Sequence, residues 1–264
     1  MTDKRCKILE QKALAESIYQ VVLEAPEIAA EARPGQFVNL YCDNAARLLP
    51  RPISICDADA EKGTLTLIYA VVGEGTEEFA AKKDGECIRV MGPLGNGFPL
   101  EAAEQADEII LVGGGLGIPP LLFLSRCLNA PEKVKVILGF RSEAWMGTEF
   151  EPYGTVYPVS DDGATGFKGN AVQRLRFYLK MQNHSMMRTL YSCGPLPMMH
   201  ALQKAYENDE TMDLWFSLEE RMGCGFGACA GCPAKLRMPD GSIKQQGVCK
   251  MGPVFPGKAV IFGE

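Results

Sequence analysis

The chain is poor in histidine, in long apolar runs and in net positive charge, and each shortage removes a class of function. Only His184 and His200 occur among 264 residues. No run of eighteen apolar residues is present, so the sequence offers no membrane-spanning helix. Basic residues number 27 against 33 acidic ones, and the formal charge of −6 leaves no general basic footprint for nucleic acid. The opening Met1-Thr2-Asp3-Lys4-Arg5 has no apolar signal core, and a cytoplasmic location is expected. There is no internal repeat and no low-complexity segment.

Against these shortages the chain has 10 cysteines. Disulfide-rich secreted proteins are usually much shorter. Cys6, Cys42, Cys56, Cys87, Cys127 and Cys193 are scattered without metal-ligand spacing and are expected mostly as buried apolar fillers in a reducing cell. The remaining four are patterned. Cys224, Cys229 and Cys232 share one glycine-rich stretch and Cys249 follows, giving C-x4-C-x2-C…C, the plant-type spacing for a [2Fe–2S] cluster. Four thiolates must converge on two irons, and glycines at 223, 225, 227 and 231 are expected to let the backbone curl with positive φ and aim N–H groups at the sulfurs. A Rieske centre needs two histidines, and neither histidine lies near these cysteines in the sequence. A zinc site usually shows two short cysteine pairs, whereas here three cysteines share a loop and the fourth stands alone. The cluster ranks ahead of zinc, and both rank ahead of disulfides. A cluster of this type passes single electrons, which points to an electron-transfer chain.

The length accommodates two domains and a small module. Residues 1–102 read as an all-β barrel domain, with short β-branched runs at Ser17 to Leu23, Gln36 to Cys42, Thr64 to Val72 and Glu86 to Val90. Turns at Pro34-Gly35, Lys62-Gly63 and Asp84-Gly85 separate them. Residues 103–218 alternate strands and helices, as in a doubly wound parallel sheet. Strands are expected at Glu108 to Val112, Val134 to Phe140, Thr155 to Val159, Leu190 to Ser192 and Asp213 to Leu218. Helices are expected at Pro119 to Leu128, Asn170 to Lys180 and Pro197 to Tyr206. Residues 219–264 form the cysteine module, with a turn at Pro239-Asp240-Gly241.

Three further constellations carry chemistry. Arg51-Pro52-Ile53-Ser54 is followed by Ile68-Tyr69-Ala70 and by Gly75-Thr76. An arginine forks onto phosphate oxygens, a serine hydroxyl can bond a flavin ring edge, and a helix opening at Thr76 would suit a pyrophosphate, although Thr76 as an N-cap reads equally well. Gly113-Gly114-Gly115-Leu116-Gly117 follows a buried strand and opens a helix at Pro119-Pro120, the context of a dinucleotide site, though not a G-x-G-x-x-G string. Cys193-Gly194-Pro195 ends another strand, where a turn around a buried thiol is the competing reading.

In this order the motifs resemble the ferredoxin–NADP reductase superfamily. Glu219 to Gly225 and Gly247 to Phe255 narrow the likeness to electron-transfer subunits of NAD-dependent (class 1B) dihydroorotate dehydrogenases, over essentially the whole chain. The resemblance implies FAD at Arg51, Pro52, Ile53, Ser54, Ile68, Tyr69, Ala70, Gly75 and Thr76. It implies NAD at Gly113, Gly114, Gly115, Gly117, Cys193, Gly194 and Pro195, and the cluster on Cys224, Cys229, Cys232 and Cys249. It also implies an FMN-containing catalytic partner subunit that oxidises dihydroorotate, in a heterotetramer of two plus two, with no catalytic acid or base on this chain. Pro233-Ala234 directly after the third cysteine departs from the family pattern and suggests a hairpin insertion facing a partner. Two other readings stay open: the small subunit of a sulfide dehydrogenase or ferredoxin-linked transhydrogenase, and a zinc-bearing interaction protein. Arg141-Ser142, after the strand ending at Phe140, leaves both NAD and NADP open.

Overall fold

A computed structural model describes residues 1–183 and 185–263; His184 and Glu264 lie outside the described residues. The first part is a closed six-stranded barrel. In chain order it comprises β1 (Thr2–Ala15), β2 (Ile18–Glu24), α1 (Pro26–Glu31), β3 (Phe37–Tyr41), β4 (Arg51–Asp59), β5 (Thr64–Ala70), α2 (Glu74–Ala80) and β6 (Cys87–Leu94). Ring order is β1-β2-β5-β4-β3-β6, and β1 closes it by pairing with both β2 and β6. Its interior is filled by Ile8, Val21, Leu23, Val38, Leu40, Ile55, Leu67, Tyr69 and Val90.

Sequence reading expected four of these strands and missed β1 and β4. The reason is local. In β1 only Cys6 and Ile8 are buried among exposed charges, so the apolar alternation is two residues long. In β4 the proline at 52 and the aspartates at 57 and 59 imitate a loop. α2 begins at Glu74, two residues before the expected start.

The second part contains α3 (Glu101–Glu104), β7 (Glu108–Gly114), α4 (Pro119–Leu128), β8 (Val134–Phe140), β9 (Thr155–Ser160), β10 (Phe167–Lys168), α5 (Ala171–Lys180), β11 (Arg188–Cys193), α6 (Leu196–Tyr206) and β12 (Met212–Ser217). After it come β13 (Pro233–Arg237), β14 (Ile243–Gly247), α7 (Val248–Met251) and β15 (Val254–Pro256). The large sheet runs β10-β9-β8-β7-β11-β12-β15, with every pairing parallel except β15 on β12. The chain winds outward from β7 through β8 and β9, then crosses back to β11. The gap between β7 and β11 is therefore the switch point, where open α/β sheets bind ligands at their carboxyl edge.

Helix α4 joins the two parts. Leu121 and Leu124 pack into the sheet core, while Phe123 belongs to the barrel core. Arg126 on the same helix pairs with Asp57 of β4 at 2.8 Å and donates to the Ala58 carbonyl. The C-terminal tail is joined just as closely to the sheet. Cys232, Leu236, Val248, Cys249 and Phe255 share one core with Leu190, Leu202 and Phe216. Gln203 of α6 donates to the carbonyls of Gly257 and Val260 at 2.7 and 2.6 Å. The hairpin expected around Pro239 to Gly241 is present as β13–β14.

Away from the carboxyl edge, Glu108 and Arg188 form a buried ion pair at 2.9 Å where β7 and β11 begin. Tyr178 donates to the same carboxylate, and Arg188 also donates to the Asn183 carbonyl at 2.7 Å. Removing one partner strands a buried charge, which typically costs about 3–5 kcal/mol. Arg188→Met is expected to lower unfolding free energy by roughly that amount, and adding Glu108→Leu should recover most of it. Chemical denaturation of the three proteins checks this, and equal stability of the single and double variants contradicts it.

Candidate functional site

A cleft of about 310 Å³ opens where the barrel meets the carboxyl edge of the sheet. Its barrel wall is Phe37 of β3, Arg51 to Ser54 of β4, Ile68 to Ala70 of β5, and Val72 with Thr76. Its opposite wall is Leu116 from the glycine loop and Ser217, Leu218, Glu219, Glu220 and Met222, running off the end of β12, with Pro253 closing one side. Eight of the nine residues expected at a flavin thus line one cavity. The ninth, Gly75, lies just beneath: a Cβ on it would overlap the Arg51 guanidinium, so its bare backbone is what lets Arg51 lie across the start of α2.

Two of the eight differ in what they present. Tyr69 is buried in the barrel, stacked on Tyr19 and edge-on to Phe79. In a strand, neighbours alternate faces, so Ile68 and Ala70 face the cleft and Tyr69 offers only backbone. Thr76 is committed locally. Its hydroxyl accepts from Val72 N–H at 2.9 Å and donates to the Gly73 carbonyl at 2.9 Å, and its own N–H bonds that carbonyl at 3.0 Å. It closes the turn into α2 and leaves none of these groups free for a phosphate.

The two expected nicotinamide motifs meet at the switch point. Gly113 of β7 is the register partner of Cys193 of β11. A Cβ on Gly117 would overlap the Cys193 carbonyl, and one on Gly194 would sit 2.9 Å from the Gly114 carbonyl. The loops pack backbone to backbone, and no larger residue fits either position. Gly115 takes φ +54 with open space around it. The thiol of Cys193 is buried, and burial pushes its pKa up; it does not line the cleft. The contribution of Cys193 to the carboxyl edge is its carbonyl.

Beyond β8, Arg141 is exposed. Next to it, Ser142 hydrogen-bonds Asp162, and with the Ala164 N–H at 2.9 Å it holds that carboxyl below its ordinary range. Arg141 and Asp162 thus follow the register partners Phe140 and Ser160 at the carboxyl ends of β8 and β9.

The four patterned cysteines come together as two pairs. Cys229 follows Cys224 in the loop, and the pKa of the Cys249 thiol is raised by burial, by Cys232 and by Cys224, so the second pair also senses the first. Among the described residues no three His, Cys, Asp or Glu side chains gather as one metal ion would need. Plant-type spacing with three cysteines in one loop and a fourth apart is the pattern of a [2Fe–2S] cluster rather than of zinc. The loop supplies backbone donors: Ala228 N–H lies 3.2 Å from the Cys224 sulfur and Cys249 N–H 3.4 Å from the Cys232 sulfur. At Cys224, burial raises the pKa, but N–H groups of Phe226, Cys229 and Ala228 outweigh it and bring the thiol to about 6.

The glycines do this partly as expected. Gly225 and Gly227 have φ +76 and +92, but Gly223 and Gly231 do not take positive φ, and Ala230 does instead at +53. The places where Cβ atoms would stand on Gly223 and Gly231 lie 3.2 and 3.3 Å from the Cys229 sulfur, so both glycines keep room for that thiol. Of the six unpatterned cysteines, Cys6, Cys56 and Cys193 are buried, Cys42 and Cys127 are half-buried against the barrel core, and Cys87 is half-buried outside it. All ten are free thiols.

Sequence reasoning placed Glu219 to Met222 only in the cysteine module and missed them as a cleft wall. The available signal was topological: parallel strands end on one edge, so whatever follows β12 must leave from beside the glycine loops.

A family model described as the iron-sulfur cluster binding domain of dihydroorotate dehydrogenase B matches residues 219–261. The chain is 41% identical over 260 residues to the "Dihydroorotate dehydrogenase B (NAD(+)), electron transfer subunit" of Bacillus cereus (strain B4264), covering 96% of this chain and 97% of that protein. It is 40% identical over 259 residues to the protein of that description from Bacillus anthracis (strain CDC 684 / NRRL 3495), with the same coverage. Among solved structures, an NADH-dependent reduced ferredoxin-NADP oxidoreductase superposes with a TM-score of 0.84 at 29% identity, over 97% of this chain and 90% of that one. A ferredoxin NADP+ reductase from Neisseria gonorrhoeae with bound FAD and NADP gives 0.65 at 18% identity, over 82% and 99%, and shares the fold.

Gly75→Ala should expel Arg51 from its seat and lower FAD content of the purified protein by more than half, with the barrel still folded by circular dichroism. Cys249→Ser should lose iron and acid-labile sulfide while keeping FAD. Full iron content in Cys249→Ser contradicts its place in the pair with Cys232.

Proposed function

Because the chain belongs to the family of electron transfer subunits of NAD(+)-linked dihydroorotate dehydrogenase B, we propose that it carries electrons from a dihydroorotate-oxidising, FMN-containing partner subunit to NAD+ in pyrimidine biosynthesis. FAD would lie in the cleft, against Arg51 to Ser54 and Ile68 to Ala70. The [2Fe–2S] cluster would be held by Cys224, Cys229, Cys232 and Cys249. The observation that carries this reading is the run Ser217 to Met222: it walls the cleft, and its next residues, Gly223 and Cys224, enter the cysteine loop. One stretch of chain thus spans both cofactor sites. Bound, FAD accepts or yields a hydride and exchanges electrons singly with the cluster, chemistry that belongs to the cofactors.

The residues of this chain bind, orient and exclude water. Arg51, lying over Gly75, supplies a planar fork for phosphate oxygens beside the start of α2. Ser54 offers a hydroxyl at the ring edge. Gly113 to Gly117 and Gly194 bring bare backbone to the switch point, where a dinucleotide pyrophosphate would meet the glycine loop. Asp162, just past the end of β9 as Arg141 is just past the end of β8, would repel a 2′-phosphate and can accept from a ribose hydroxyl, which favours NAD over NADP. Glu219 lines the cleft with its side chain still exposed to solvent.

The partner subunit would dock over the cysteine loop. Phe226 is 44% exposed between Gly225 and Gly227, Cys229 is exposed three residues on, and Met251 is exposed elsewhere on the same module. Phe226→Asp should weaken the complex about tenfold or more, the usual scale for losing a central aromatic anchor, while iron content stays unchanged. Undiminished co-purification of the variant with the catalytic subunit contradicts this docking.

Anaerobic titration of the isolated chain tests the cofactor assignment. NADH should bleach the flavin band and then the cluster band, and NADPH should do so at least tenfold less effectively, about 1.4 kcal/mol of discrimination. Bleaching by NADPH as efficient as by NADH would remove the role given to Asp162.

A further inference from the structure

Asn39 is the most anomalous residue of the barrel. It sits on β3, fully buried among apolar neighbours, where a leucine or valine would fill the space. Its Nδ2 donates to the Cys224 carbonyl at 2.9 Å. A carbonyl only accepts, so the amide nitrogen must be the end facing the loop. Among the described residues no donor reaches its Oδ1, although that atom is buried. A buried polar atom without a partner is destabilising and calls for an explanation.

Its surroundings supply one. Phe37, two residues earlier on the same face of β3, lines the flavin cleft. Pro52, its register partner on β4, lines that cleft too. On its other side is the first cluster cysteine. A Cβ on Gly225 would lie 2.6 Å from Oδ1, so the loop's bare backbone at φ +76 is pressed against this one amide. Asn39 is thus the point at which the strand bearing the flavin wall grips the loop bearing the cluster. No other side-chain hydrogen bond to that loop from the barrel occurs among the described residues.

We infer that Asn39 is a positioning residue for electron exchange between the flavin and the cluster: by holding the Cys224 carbonyl against β3 it fixes the separation and orientation of the two cofactor sites. The exchange moves one electron at a time, oxidising one centre as it reduces the other, and makes or breaks no bond. It is sensitive to placement, which is what a rigid strand-to-loop hydrogen bond supplies. This inference rests on the reading that FAD fills the cleft and the cluster fills the four cysteines.

The test is Asn39→Leu, nearly isosteric, in the full chain with its partner subunit. Iron, sulfide and FAD content are measured first, followed by the electron paramagnetic resonance spectrum of the reduced cluster. Anaerobic stopped-flow with NADH then separates flavin bleaching from cluster bleaching. Flavin bleaching should stay within twofold of wild type. The cluster phase should slow several-fold, because electron transfer falls exponentially with separation, and the resonance envelope should shift. A fully loaded variant with an unchanged cluster phase and spectrum overturns the inference. If Asn39→Leu loses iron, Asn39→Ser, whose hydroxyl can reach the carbonyl through a water, decides on the same criteria. Loss of iron from both variants makes Asn39 a folding residue and overturns the inference as well. Wild-type protein without flavin or cluster bands would instead defeat the underlying reading.

Discussion

The molecule depends on one constraint: parallel strands deliver all their carboxyl ends to a single edge. β7, β11 and β12 end side by side, and each hands the chain to a different task. β7 runs into the glycine loop, β11 into Cys193-Gly194-Pro195, and β12 into the strap that walls the cleft and leads to Cys224. The approach of the first two loops is set by backbone contact, because Gly117 packs onto the Cys193 carbonyl with no room for a side chain. The third loop is tied down by β15, which returns to pair with β12 and prevents the tail from moving independently.

The barrel is bound to that edge by α4 and by β3. α4 divides its faces, with leucines toward the sheet and Phe123 and Arg126 toward the barrel. β3 reaches the cysteine loop through Asn39. The three parts therefore share cores, and the cofactor sites are held in a fixed relation by packed side chains. Electron transfer between fixed centres needs such rigidity, in contrast to a hydrolase that closes on its substrate.

Much of this was legible in the residues, and the reasons differ by element. α4 and β8 were readable to the residue: the first begins with two prolines that fit only a first turn, and the second is a short apolar run buried on both faces. The cysteine spacing carried the cluster, since few arrangements of four thiols demand it. β1 was illegible because a barrel strand with a charged outer face and two buried side chains carries almost no period-2 signal. β15 was illegible because three residues cannot announce a strand. Within the site, Arg51 to Ser54 could be read from type and order. That Thr76 spends its hydroxyl on its own turn, or that Tyr69 points inward, depends on hydrogen bonds and strand facing that composition does not encode. Asn39 had no sequence signal at all, as it is one polar residue in an apolar strand and acquires meaning only from a loop 185 residues away.

The central claim is that electrons from a dihydroorotate-oxidising partner cross this chain through both of its redox sites. The most direct measurement is the anaerobic visible spectrum of the chain co-expressed with its FMN-containing partner, before and after dihydroorotate. The account predicts that dihydroorotate alone bleaches the flavin and iron–sulfur bands together, and that NAD+ then restores them. Bands that bleach with NADH but never with dihydroorotate would leave a reductase and contradict the pyrimidine assignment.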